Sequence, residues 1–150
     1  MRFSIQRESF LKRLQHVVGV VERRQTLPVL ANLLIVVDDS GVTLTGTDLE
    51  VEMSARTEAD DLVAGETTVP ARKLFDICRA LPDGCRIKLE RNGERVVLTA
   101  GRSRFTLATL PATEFPTIDS IELVERVALP EAALKELMDR TAFAMAHQDV

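Results

Sequence analysis

The sequence repeats one pattern, a short strand followed by a helix and three further strands, and this repeat limits the possible folds more than any other feature. The first copy begins at the strand-like stretch Phe3–Ile5, and the second begins at Thr67–Val69, an offset of about 64 residues. A helical spacing of apolar residues follows each short strand, and Pro70 suits the first turn of the second helix. Repeats of this kind typically build modular arrays or pseudo-symmetric rings.

The first copy predicts one amphipathic helix and three strands. Its helix carries one apolar stripe, made of Phe10, Leu11, Leu14, Val17, Val18 and Val21. The expected strands are Val29–Val37, Val42–Thr47 and a half-buried strand that starts at Leu49. The first two are joined by a hairpin turn that ends at Gly41. Residues 58–65 are predicted to form an acidic loop.

The second copy predicts the same elements in the same order. Its helix has an apolar stripe of Leu74, Ile77, Cys78 and Leu81. The expected strands are Cys85–Arg91, Arg95–Thr99 and Ser103–Leu110, and Asn92-Gly93 is a strong hairpin signal between the first two.

A third copy starts near the end of the sequence. The motif Glu8-x-x-Leu11-Lys12-x-Leu14 returns as Glu131-x-x-Leu134-Lys135-x-Leu137. The stretch 111–116 and the acidic stretch 119–125 are interpreted as a linker. We therefore expect a complete domain at 1–122, and at 123–150 the linker end with the first strand and helix of a second, truncated domain.

Composition narrows the class of protein without naming it. The net charge is −4, but residues 1–24 sum to +4 and residues 25–70 to −8, so a local positive surface is compatible with a negative whole. Ordinary solvated faces would explain the same distribution. No stretch approaches the ~20 apolar residues of a membrane span, and the first residues do not read as a signal peptide. With two cysteines as well, a cytoplasmic protein without a disulfide framework is expected.

Catalytic chemistry finds little support in the sequence. His16 and His147 have no obvious partner, and the spacing of Cys78 and Cys85 fits no common zinc or redox motif. No phosphate-binding glycine motif is present, and the absence of Trp and Tyr weakens a base-stacking platform. We therefore expect no catalytic residue, no metal and no cofactor.

Two alternatives stay open from the residues alone. Asp48, Glu50 and Glu52 fall at period-2 spacing, which favours a solvated strand face but also permits a carboxylate metal site. Asp48 and Glu50, together with Asp76, would suit a metal-dependent nucleic-acid enzyme. The second alternative is an oligomerisation module that does not contact DNA.

Several runs, taken together, resemble the β subunit of bacterial DNA polymerase III over essentially all 150 residues. They are Thr26–Leu34, Leu44–Glu50, Thr68–Arg79, Gly101–Phe105, Leu110-Pro111-Ala112-x-x-Phe115-Pro116 and Phe143-x-Met145–Val150.

The resemblance implies an α+β DNA-clamp fold, in which each domain has two strand–helix–three-strand halves. Helices would lie on the DNA side and antiparallel sheets on the outside, with acidic outer strands. Three such domains form one chain of this family, and two chains close head-to-tail into a ring. The implied function is that of a non-enzymatic processivity subunit, a sliding clamp that encircles duplex DNA and tethers the replicative polymerase.

The resemblance also assigns residues to sites. It implies sequence-independent DNA contacts at Arg24, Arg72, His147 and Gln148. It implies a ring interface at Lys73, Arg95, Arg102, Arg104, Phe105 and Leu107, with Ser103–Leu110 as an edge strand that pairs with the neighbouring subunit. The implied partners are double-stranded DNA, a second copy of the chain, and a polymerase and clamp loader that bind a pocket outside these residues.

Overall fold

A computed structural model of the chain describes residues 1–21, 27–117 and 127–145. It divides into two compact units, Met1–Ile118 and Asp119–Val150. The predicted domain boundary near residue 122 stays a prediction.

The first unit contains two helices and nine strands among the residues that are described. In chain order they are β1 (Arg2–Gln6), α1 (Arg7–Val18), β2 (Asn32–Asp38), β3 (Gly41–Thr47), β4 (Glu52–Thr57), β5 (Asp60–Val63), β6 (Gly65–Pro70), α2 (Ala71–Ala80), β7 (Arg86–Asn92), β8 (Arg95–Ala100) and β9 (Ser103–Ala108). Short 3-10 helices occupy Pro28–Ala31 and Ala112–Glu114. The second unit contains α3 (Glu131–Thr141) and a 3-10 helix at Ala142–Ala144.

The strands form two antiparallel sheets that exchange their first strands. Sheet A has the order β5-β1-β7-β8-β9, and sheet B has the order β4-β3-β2-β6. The opening strand β1 of the first half therefore pairs with β7 of the second half, and β6 of the second half pairs with β2 of the first. Each sheet consequently contains residues from both copies of the repeat.

One hydrophobic core joins both helices to both sheets. It includes Phe10 and Leu14 of α1, Leu74 of α2, Leu44 of sheet B and Leu98 of sheet A, all without solvent exposure. The stripe predicted for the first helix is confirmed, although Leu11 is only partly buried. Burial of side chains this large, each contributing roughly 1.5–3 kcal/mol, orients the helices on the sheets.

The predicted start of the third strand, at Leu49, was wrong. Leu49 has a left-handed backbone with φ 80°, and its N–H donates to Thr47 Oγ1 at 3.0 Å. The Asp48 carboxylate accepts the N–H of Val51 at 2.7 Å, which closes a side-chain turn. β4 begins only at Glu52, so the three acids do not share one strand face.

The predicted acidic loop 58–65 contains a strand instead. β5 pairs antiparallel with β1, and the register shifts between the partners of Arg2 and Ser4. The acidic composition does not prevent strand formation because the acids of β5 are exposed at the edge of sheet A, where charges are tolerated.

The predicted linker 111–116 packs against sheet B. Phe115 is 5% exposed and joins a second cluster with Val29, Leu30 and Leu34. Two of these, Val29 and Leu30, lie in the 3-10 helix that replaces the start of the strand predicted from Val29. The hairpin turn between β7 and β8 also differs by one residue, since its two central positions are Gly93 and Glu94.

Membrane insertion through a helix finds no support. Within the described ranges, no helix is both long and apolar enough to cross a bilayer.

Candidate nucleic-acid interface and ring contact

Arg72 lies on the first turn of α2 and reaches the end of the α1 segment. Its Nη2 donates a hydrogen bond of 2.7 Å to the carbonyl of Val21. The side chain remains exposed, and a guanidinium has five N–H donors, so most of its donors stay available. Arg72 is therefore held beside Val21, and its role in DNA contact stays a prediction.

Three predicted DNA contacts cannot be placed. Arg24, His147 and Gln148 lie outside the described residues, so their role stays a prediction.

The exposed faces of both helices carry further cations. Lys12 is exposed on α1, and Lys73 and Arg79 are exposed on α2. Arg79 also lies 5.7 Å from the ring centroid of Phe75, a cation–π contact that orients it along the helix.

Arg7 does not belong to the positive surface expected for residues 1–24. It is only 9% exposed, its Nε donates to the carbonyl of Cys78 at 2.9 Å, and its Nη2 donates to the carbonyl of Arg79 at 3.0 Å. It also forms an ion pair with Asp83. Arg7 therefore caps the C-terminus of α2. Sequence analysis missed this role, because charge alone does not distinguish a cap from a surface cation.

β9 is a free edge of sheet A, as predicted. Within the described ranges it pairs only with β8. Thr109 N donates to Glu94 O at 3.1 Å, and antiparallel bonding alternates, so Ser103, Phe105 and Leu107 bond to β8. The N–H and C=O groups of Arg104, Thr106 and Ala108 therefore point to the open edge and can accept another strand.

The side chains along this edge separate into two faces. Leu107 is 1% exposed, its side chain lies in the core, and its backbone groups bond to β8 rather than to the open edge. Phe105 is half-buried against the same core. Arg104 and Arg95 lie on the opposite, solvent-facing side, and Arg102 lies in the turn before β9.

The cations predicted for the ring contact are all exposed. Among the described residues, Arg95, Arg102, Arg104 and Lys73 form no ion pair. Lys73 is on α2 rather than on the hairpin. Unpaired guanidinium groups beside an open strand edge would favour a partner strand that carries carboxylates.

The expectation of acidic outer strands holds for only one sheet. Sheet B carries Asp38, Glu52 and Glu66 with a single cation, Arg56. Sheet A is mostly basic, and its strands carry Arg2, Arg86, Lys88, Arg91, Arg95 and Arg104 against Asp60, Asp61 and Glu90. The strands of the two sheets therefore differ in the sign of their net charge.

The acids considered for metal catalysis are committed elsewhere. Asp48 accepts two backbone N–H groups, which lower the pKa of its carboxyl. Asp76 lies 3.4 Å from Arg79 on α2. In the part of the chain that is described, no group of three or more His, Cys, Asp or Glu side chains is arranged to hold a metal ion. Burial raises the pKa of the Cys78 thiol to about 12, so this cysteine is a poor nucleophile.

A family profile decides between the remaining interpretations. The profile described as the DNA polymerase III beta subunit, N-terminal domain, matches residues 1–119. The chain belongs to this family. The beta-subunit resemblance seen in the sequence is therefore confirmed, and the clamp fold is confirmed by the solved structures that the chain matches.

Named relatives agree over the whole chain. The beta sliding clamp of Pseudomonas aeruginosa is 53% identical over 151 residues, and that of Escherichia coli (strain K12) is 51% identical over the same length. Each alignment covers 100% of this chain and 41% of the relative. The chain thus spans about two fifths of the length of these beta sliding clamps.

Solved beta subunits share the fold closely. A crystal structure of a sliding clamp (DNA polymerase III subunit beta) from Pseudomonas aeruginosa, bound to griselimycin, matches with a TM-score of 0.95 at 53% identity. It covers 100% of this chain and 41% of that one. The beta subunit of Caulobacter crescentus matches with a TM-score of 0.95 at 40% identity, covering 100% of this chain and 40% of that one.

Proposed function

We propose that this chain supplies the N-terminal domain of a sliding clamp, a ring that encircles duplex DNA and tethers a replicative polymerase. Two copies of a full-length protein would close the ring head-to-tail. The observation that carries the proposal is the open edge of β9, because a head-to-tail ring needs a surface that joins the next subunit, and an unpaired strand edge can pair with another chain.

The proposed ring contact combines backbone pairing with charge. Arg104, Thr106 and Ala108 would bond to a strand of the neighbouring subunit. Arg95, Arg102, Arg104 and Lys73 would meet its carboxylates, while Phe105 would pack at the seam. Leu107 supports this edge from the core rather than by direct contact.

The proposed DNA contact is sequence-independent. Arg72, with Arg24, His147 and Gln148, would meet phosphate oxygens from the helix side of the domain. A ring that slides needs weak contacts without base readout, since a base-specific bidentate pair is worth roughly 1–3 kcal/mol and would hold the ring in place. The polymerase and the clamp loader would bind a pocket outside these residues, and a cytoplasmic location follows from duplex DNA as ligand.

A chimera tests ring closure. In it, this chain replaces the aligned part of the Pseudomonas aeruginosa beta sliding clamp, to which it is 53% identical. Thr106→Pro removes one outward N–H from an edge strand that tolerates proline, while Thr106→Val keeps the N–H and serves as the matched control. We expect the proline variant to lose the closed dimer in sedimentation and the valine variant to keep it. If the two variants formed dimers of equal stability, β9 would not be part of the interface.

A second experiment tests DNA contact in the same chimera. Arg72→Ala should weaken binding equally on unrelated duplexes and reduce the salt slope by about 0.9, the value for one phosphate contact. Arg86→Ala is the control, because it removes the same charge from sheet A, where Arg86 pairs with Asp60. A chimera that forms closed rings but does not bind DNA, and in which Arg72→Ala has no effect, would favour the oligomerisation module. A preference for one sequence that Arg72→Ala abolishes would contradict sliding.

A further inference from the structure

We propose that Asn92–Gly93 is a site of spontaneous deamidation, and that the aspartate formed there pairs with Arg95. Both Asn92 and Gly93 are exposed at the tip of the hairpin between β7 and β8. The other asparagine of the chain, Asn32, lies within sheet B and is followed by leucine.

The side chain of Asn92 is free to react. It makes no hydrogen bond to any residue that the structure describes. By contrast, Asn32 is 5% exposed and its Nδ2 donates to Thr68 Oγ1 at 2.8 Å. The side-chain amide is therefore held in place at Asn32 and is unrestrained by hydrogen bonds to described residues at Asn92.

The attacking nitrogen is also free. Asn92 and Arg95 form the pair that flanks the two-residue turn, so the ladder of the hairpin does not use the N–H of Gly93. Gly93 has φ 60°, and a Cβ placed on it would find nothing within 4 Å. Gly93 therefore carries no side chain beside the peptide nitrogen that follows Asn92, and the residue is exposed.

Neighbouring cations favour the charged intermediates. Arg91 Nε donates to the carbonyl of Gly93 at 3.1 Å, and Arg95 lies directly across the hairpin from Asn92. The nucleophile is the deprotonated nitrogen of Gly93, and nearby guanidinium groups lower the free energy of this anion.

The reaction balances with water as the only co-reactant. The Gly93 nitrogen loses its proton to solvent and attacks Asn92 Cγ, forming a C–N bond. The bond from Cγ to Nδ2 breaks, and the nitrogen leaves as ammonia after taking up a proton. Water then opens the cyclic imide at either carbonyl, which yields aspartate or isoaspartate at position 92.

The product changes the charge of the hairpin. Cross-strand neighbours on one face have Cβ atoms about 5.5 Å apart, so a carboxylate at position 92 reaches the Arg95 guanidinium. Arg95 is unpaired among the described side chains and belongs to the predicted ring contact. The consequence for the ring rests on the proposed function, whereas the deamidation itself does not.

Peptide mapping of the 150-residue chain tests the reaction. After incubation at mildly alkaline pH, we expect the acid form at Asn92 to exceed that at Asn32 by more than about tenfold, because the buried amide reacts only through local unfolding. The conversion should rise with pH, and Asn92→Gln should remove it. Equal conversion at Asn92 and Asn32, or none at Asn92, would overturn the proposal.

Nuclear magnetic resonance tests the pairing. In Asn92→Asp, the pKa of the new carboxyl should rise when Arg95→Ala is added and stay unchanged when Arg104→Ala is added. An Arg95→Ala effect no larger than that of Arg104→Ala would refute the pairing. Neither measurement requires a ring, so a failure of the proposed function would be recognised separately, as a chimera that forms no closed dimer.

Discussion

Replacing Arg7 with methionine should destabilise the first unit more than any surface change on the same helix. The substitution keeps most of the side-chain volume but removes the donors to the carbonyls of Cys78 and Arg79. These carbonyls are among the last four of α2, which have no partner inside the helix. The backbone N–H of Leu81 donates to the carbonyl of Ile77 at 3.2 Å. Arg7 supplies the donors for the next two carbonyls, those of Cys78 and Arg79.

The expected magnitude follows from these bonds. Hydrogen bonds from a charged donor contribute about 1.5–3 kcal/mol each, and a cation at a helix C-terminus adds roughly 0.3–1 kcal/mol. The partner Asp83 is 93% exposed, so its ion pair contributes little. Because the carbonyl of Arg79 is only partly buried and will partly rehydrate, we expect a loss of about 3 kcal/mol in the free energy of unfolding.

Urea unfolding followed by circular dichroism measures this loss. With a typical slope of about 2 kcal/mol per molar, the midpoint should fall by roughly 1.5 M. Lys12→Met is the matched control on the exposed side of α1 and should stay within about 0.5 kcal/mol of the parent. Asp83→Asn should also have a small effect. An Arg7→Met variant less than about 1 kcal/mol below the parent would refute the capping role.

Three further predictions concern other parts of the first unit. The pKa of Asp38 is lowered to about 2, chiefly by the hydroxyl of Ser40, so the stabilising contribution of this carboxylate should persist above pH 4 and disappear as the pH falls through 2. Ser40→Ala should raise the pKa of Asp38 in a carboxyl titration, and an unchanged pKa would exclude the hydroxyl as the cause. A thiol reagent should modify half-exposed Cys85 before buried Cys78, whose pKa is about 12, and mass spectrometry showing the reverse order would contradict that burial. Gly46→Ala should cost roughly 1–3 kcal/mol by thermal unfolding, because the added Cβ would lie 3.0 Å from a side chain of α1 and 3.1 Å from one of β2; a neutral effect would show that these neighbours move apart easily.

The sequence predicted the elements of the fold better than their partners. Hydrophobic periodicity identified α1, α2 and the hairpin strands, because burial of one face decides that periodicity. It did not predict that β1 and β6 exchange sheets, since pairing between distant strands leaves no local pattern. The strand β5 was missed because its acidic composition resembles that of a loop.

The site was predicted from resemblance more than from chemistry. The open edge of β9 was implied by the family resemblance, and the structure confirms that it is free within the described residues. Whether it joins a second subunit stays a prediction. Arg7 shows the limit of charge counting, because a cap is recognised only when the carbonyls of a helix 71 residues away are placed beside it. Similarly, the sequence did not distinguish Leu107 from Phe105, because they differ in how deeply the sheet buries each side chain.

The exchange of β1 and β6 has a consequence for synthesis on the ribosome. When the first half has emerged, β2 still lacks its outer neighbour, which ends at Pro70. β1 lacks its main partner until Asn92 has emerged. A chain that grows from its N-terminus must therefore hold a large apolar surface without its final partners for more than half of its length, and long-range pairing of this kind slows folding. We expect ribosome-bound chains that end before the β7–β8 hairpin to be protease-sensitive, and those that extend past β9 to become resistant in a single step.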